Sequence, residues 1–174
     1  IGSCFAEHMG ERLADSLPEG QVLVNPTGVL YNPESILYVL NGFLQKETPW
    51  LNQTFQGSDG RWHNWMFSNL HSAATREEMQ TFVCQQWERG AQMMCDASTY
   101  IITTWSTDRV FTFNDQIVAN CHKEPGNIFH QHTLDFNHII HTWKQFMNDW
   151  GSHHRLLLTL SPYRYLKWGL SDNG

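Results

Sequence analysis

Two short apolar runs constrain this chain most: TYIITTW at 99–105 and RLLLTL at 155–160. Neither alternates polar with apolar residues. A strand with one face in water reads with a period of two, so these runs predict strands covered on both faces, as in a parallel sheet flanked by helices. QVLV, residues 21–24, is a third run of strand type.

The stretches between them carry helical signals. Phe5, Met9, Leu13 and Leu17 form one stripe, predicting an amphipathic helix over 4–17 that Pro18 and Gly20 end. Asn32 is a natural cap with Pro33 at the first helical position, and that helix should run to about Leu44. Thr75 followed by Glu78 is a capping box, and Met79, Phe82, Val83, Trp87 and Met94 keep a helical period to Cys95. Phe136, Ile139, Ile140, Trp143, Phe146, Met147 and Trp150 predict a last helix over 135–150. VFTF-ND-QIVA reads as a hairpin turning at Asn114-Asp115. Residues 45–74 are either a long loop or a small hairpin.

Strands alternating with helices predict an α/β fold: a three-layer α/β/α sandwich with a mainly parallel sheet, in which 21–24, 99–105 and 156–160 are near neighbours. Ligands of such sheets bind at the carboxyl ends of the strands. NPTG (25–28), residues 105–107 and SPYR (161–164) lie there, and so does Gly2-Ser3 if a strand leads into it.

Composition narrows the function. At 174 residues the chain suits one domain, and 41% hydrophobic residues exclude disorder. Eleven Lys and Arg against 17 Asp and Glu give a net charge of −6, which argues against binding nucleic acid through its phosphates. No apolar run reaches the length of a membrane span, and no charged-then-apolar leader is visible in the chain, although one opening on IGSCFA looks trimmed, as if an upstream leader had been removed. The four cysteines form no CxxC pair and are expected to be reduced and mostly buried.

Ser3 has two readings. Serine is a favoured helix cap, but at a strand-to-helix junction its hydroxyl also stands beside the free N–H groups of a first helical turn. Cys4 is a rival nucleophile or a small core residue. Gly28 offers a backbone N–H after the rigid Asn25-Pro26 pair, or is a turn glycine. Asn120 is an oxyanion donor or a loop tie, with His122 and Lys123 the base-type pair beside it. His130 with His132, and His138 with His141, have spacings that allow a shared metal, yet no HExxH accompanies them. The expectation is no metal and no cofactor.

GSCFA at 2–6, NPTGVLYNPESI at 25–36, IITTWSTDRVF at 101–111, VANCHK at 118–123, Phe129 and LTLSPYRYLKWG at 158–169 together resemble the GSCFA family, in its order and over nearly the whole chain. That family is similar to the SGNH or GDSL hydrolases, which implies a flavodoxin-like sandwich performing ester hydrolysis or acyl transfer. The resemblance implies Ser3 as nucleophile, the N–H groups of Ser3 and Gly28 as oxyanion donors, and Asn120 as the side-chain donor. Its implied substrate is an O-acyl ester, such as one on a carbohydrate, with Trp62, Trp65 and Trp105 as a platform or as core. Two departures stand out. Trp105-Ser106 replaces a glycine-containing turn, and no Asp-x-x-His follows Ser161, although Asp135 to His138 has that spacing ahead of the last strand. The expectation is a single domain truncated at its C-terminus, and possibly its N-terminus, and a poor enzyme as it stands. The alternatives are an inactive glycan-binding module and a metal-dependent hydrolase.

Overall fold

The structure, a computed structural model, describes residues 1–119, 122–151 and 154–161. Strand β3 (Tyr100–Trp105) pairs in parallel with β7 (Arg155–Leu160), Ile101 opposite Leu156 and Trp105 opposite Leu160. The opening residues join β3 as well. Gly2 forms a parallel bridge with Thr104, and the Ile1 nitrogen donates to the Ile102 carbonyl at 2.8 Å. The other ladders are antiparallel. β1 (Thr54–Gln56) pairs with β2 (Trp62–Asn64), and β4 (Arg109–Phe113) lies between β5 (Gln116–Ile117) and β6 (His130–Thr133). Among the described residues the fold is therefore mixed α/β, with parallel and antiparallel sheets.

Residues 21–24 correct an expectation, because they form no strand. The edges of β3 are taken by Gly2 and by β7, so QVLV finds no place beside it. Its apolar side chains pack instead: Val24 lies against Gly10, where an added Cβ would meet the valine methyls at 2.9 Å.

Four helices follow their local signals closely. α1 spans Cys4–Ala14, α2 Pro33–Phe43, α3 Arg76–Cys95 and α4 Phe136–Trp150. Asn32 accepts from the Ser35 N–H, and Thr75 with Glu78 forms the full capping box. Residues 45–74 resolve into the small β1–β2 hairpin, and Asn114 and Asp115 both adopt positive φ at the β4–β5 turn. The core lies among α2, α3 and α4. Trp50 is fully buried, edge-on to Phe43 at 5.4 Å and to Phe67 at 6.0 Å, while Trp105 packs on Trp143 of α4 at 5.0 Å.

α1 contributes little to that core. Ala6 is its one buried residue, and Phe5, Met9 and Leu17 of the apolar stripe are exposed. The cysteines differ from expectation too: Cys4, Cys84 and Cys95 are free thiols, but none is fully buried. Among the described residues no helix is long and apolar enough to cross a membrane.

Candidate functional site around Ser3

Ser3 is placed by the chain on both sides of it. Gly2, at φ +142°, lies so close to β3 that a Cβ would meet the Thr104 carbonyl at 2.7 Å, a conformation and an approach that only glycine accommodates. The Gly2 carbonyl accepts from Leu30 N–H at 2.9 Å, and the Gly2 N–H donates to Asn25 Oδ1 at 2.9 Å. The segment is thus clamped between β3 and the NPTG loop. Ser3 then starts α1 as its N-cap, with Glu7 N–H donating to its carbonyl.

The hydroxyl does not do what a capping serine does. Asn32, Thr75 and Asp135 each accept a first-turn N–H of their helices, whereas Ser3 makes no side-chain cap bond. Its Oγ is buried and has no hydrogen-bond partner among the described residues. Cys4 and Phe5, which follow, are exposed, while Ser3 at the start of the helix is buried. The first-turn N–H groups there have no intrahelical acceptor.

The two implied backbone donors are both engaged. Gly28 N–H donates to the Asn25 carbonyl at 2.7 Å, closing the NPTG turn, and Ser3 N–H reaches the Thr104 carbonyl at 3.4 Å, a long bond. Asn120 lies outside the described residues, as does SPYR beyond Ser161. Ser106 and Thr107 both donate their N–H to the Tyr31 carbonyl, at 2.9 and 3.1 Å, tying the strand end to the NPTGVLY loop. That tie occupies the place where the sequence lacks a glycine turn.

Three further buried polar groups have no partner among the described residues: Asn25 Nδ2 and Thr27 Oγ1 of the NPTG loop, and Ser68 Oγ beside it. They are joined through the backbone. Asn25 holds Gly2, Thr27 accepts from Ser68 N–H at 2.9 Å, and a Cβ on Gly28 would meet Ser68 Oγ at 2.5 Å. Sequence reading missed these three, since Asn-Pro-Thr-Gly reads as a turn and nothing in SNLHS marks Ser68 as its neighbour.

The histidines divide into separate groups. His122 sits on the Trp65 carbonyl through Nε2 at 2.9 Å and meets Asn69 Oδ1 through Nδ1 at 3.2 Å. Both oxygens only accept, so the single proton of the neutral ring is placed on Nε2, the nitrogen with the shorter contact, and Nδ1 then faces Asn69 Oδ1 without a hydrogen bond. Burial pushes this imidazole below its ordinary value, more than the Trp65 bond raises it. The buried His63 is held by Asp59, whose two oxygens both lie 3.1 Å from Nε2. The carboxyl of Asp59 is held low, first by the Arg61 N–H and then by His63. No histidine, aspartate or glutamate is bonded to Ser3 Oγ among the described residues. In the Asp135-to-His138 stretch, Asp135 caps α4 by accepting His138 N–H at 2.8 Å.

His130 and His132 lie on the exposed strand β6, and His138 and His141 are exposed on α4. Among the described residues no group of three or more histidines, cysteines or carboxylates is arranged to hold a metal. The tryptophans raised as a platform are occupied. Trp65 stacks on Phe55 at 3.6 Å, Arg76 lies over the Trp62 ring at 5.9 Å, and Trp105 packs on Trp143.

Comparison with known proteins gives one match: the model of the GSCFA family covers residues 1–174. Neither the curated proteins nor the solved structures contain a match to the chain.

Proposed function

The chain belongs to the GSCFA family, and from that premise we propose that it is a serine-dependent acyl esterase or acyltransferase with a flavodoxin-like, SGNH-type site at Ser3. The observation that carries the reading is the Ser3 hydroxyl: buried at a helix start, at the N-cap, and not capping. A polar group buried without a partner costs about 1–3 kcal/mol, and a nucleophile awaiting a substrate is one reason to keep it.

In this reading Ser3 Oγ bonds to the ester carbonyl carbon while the carbonyl electron pair moves onto oxygen. Collapse of the oxyanion breaks the ester C–O bond, and the leaving alkoxide takes a proton. Water or a second hydroxyl then receives the acyl group. The Ser3 and Gly28 N–H groups and the Asn120 amide are the donors proposed for the oxyanion. The Ser3 N–H, long to Thr104, is the backbone donor most easily turned to it. A base must take the hydroxyl proton, because serine is a weak nucleophile without one. The acceptor is proposed to be a hydroxyl of a small molecule or glycan.

The test is labelling with a fluorophosphonate, in which the Oγ–P bond forms, P–F breaks and fluoride leaves. Modification mapped to Ser3 and lost in Ser3→Ala supports the reading. Equal labelling of Ser3→Ala, or esterase activity that survives it, returns Ser3 to a structural role.

A further inference from the structure

Resting on the reading of Ser3 as nucleophile, we infer that Asn25 is a catalytic residue whose side-chain amide is a direct donor to the oxyanion. Asn25 is buried, at 5% exposure, and its two side-chain atoms have different fates. Oδ1 accepts the Gly2 N–H at 2.9 Å and fixes the residue before Ser3. Nδ2 is buried with no partner. The backbone there is left-handed, at φ +37°, a conformation that asparagine tolerates better than most side-chain-bearing residues.

The neighbours say what kind of atom is missing. Ser3, Thr27 and Ser68 present hydroxyls, which both donate and accept, and all three are unpartnered. The Asn25 NH2 only donates, so a group that pairs with it must present an acceptor. Among the described residues no cationic side chain is bonded to Asn25 or Ser3, which suits an oxygen that is neutral in the ground state and negative only in the transition state. A carbonyl becoming an oxyanion at Ser3 is such an oxygen. The Gly28 N–H donates to the Asn25 carbonyl at 2.7 Å, so the Asn25 amide stands beside it as a further donor rather than in its place.

Asn25→Asp isolates the donor. It keeps an oxygen for the Gly2 N–H and tolerates the left-handed backbone, but replaces NH2 with a second oxygen. The Ser3 fluorophosphonate labelling rate and kcat and KM for a short acyl ester are compared with those of the unsubstituted protein from pH 5 to 9. Loss of one oxyanion donor lowers kcat by about 10²–10³-fold, so a deficit of that size with little change in KM is expected near pH 8. The deficit narrows toward pH 5, where the buried carboxyl protonates and offers an O–H donor again, a recovery that a merely structural lesion would not show.

An unchanged labelling rate and kcat in Asn25→Asp overturn the inference while leaving Ser3 as nucleophile. Activity surviving Ser3→Ala overturns both. If Asn25→Asp does not fold, Asn25→Gly, which fits the backbone, must show the same loss of kcat, and a normal kcat there overturns the inference.

Discussion

The Phe43 ring of α2 occupies the space where Gly90 of α3 would carry a side chain: ring atoms lie 2.4–2.6 Å from the position of an added Cβ. The two helices cross at this point, and Phe43 is 4% exposed, so its ring has no room to retreat. Gly90→Ala should raise intrinsic helix preference by about 1 kcal/mol yet overpack the crossing by about 1–3 kcal/mol or more. We expect a net loss of stability, read as a lowered thermal midpoint by circular dichroism. A raised midpoint would contradict this packing.

Asn64 ties the hairpin to the core. Fully buried, it donates to the Trp50 carbonyl at 2.7 Å and to Thr54 Oγ1 at 3.2 Å, and accepts from Met66 N–H at 2.9 Å. Asn64→Leu strands these groups without water, at about 1–3 kcal/mol for each one left unpaired. Chemical denaturation should show a fall of more than 2 kcal/mol; a change below about 0.5 kcal/mol would mean the network is replaceable.

Ser3→Ala should be nearly silent for stability. A working serine cap is worth about 1 kcal/mol, but this hydroxyl caps nothing. The thermal midpoint should hold, or rise slightly as an unpartnered polar atom is removed. A loss near 1 kcal/mol would identify Ser3 as a cap after all.

Acid should weaken the fold before its carboxylates titrate. Burial holds His122 and His71 below their ordinary value of 6.5. As pH falls through about 6.5 the unfolded chain takes up protons that these folded imidazoles refuse, so their contribution to stability declines below that value. Thermal scans from pH 7.5 to 5.5 should show this slope, and it should shrink in a His71→Gln, His122→Gln double variant. An equal slope in that variant would place the titration elsewhere.

What the sequence revealed depended on how local each signal was. The caps at Asn32 and Thr75, and the Asn114-Asp115 turn, act within a few residues and were legible as they stand. Val24 was not: a run of four apolar residues is compatible with a strand, but strand formation requires a free edge, and β3 has none to give it. β6 was hidden for the opposite reason. Its four residues are all exposed, so HQHT carries no apolar period, and its pairing with β4 is decided 20 residues away. The helix over Phe5 and Met9 was readable, its exposure was not, because periodicity marks a face without naming what meets it. At the site, Ser3 and Gly28 stood out as residue types, whereas Asn25 and Ser68 mattered only once folding brought their loops together.

The clamp on Ser3 has a consequence for the order in which the protein comes into being. Ile1 and Ile102, whose bond fixes the opening segment, are separated by 101 residues, while the Gly2–Asn25 bond spans only 23. During synthesis, which proceeds from the N-terminus, the NPTG loop is available to Gly2 early, but β3 leaves the ribosome about 75 residues after it. Until then the serine is tethered on one side only, and closing so long a loop carries its own entropy cost. The nascent chain therefore carries its candidate nucleophile for much of its synthesis without the strand that aims it.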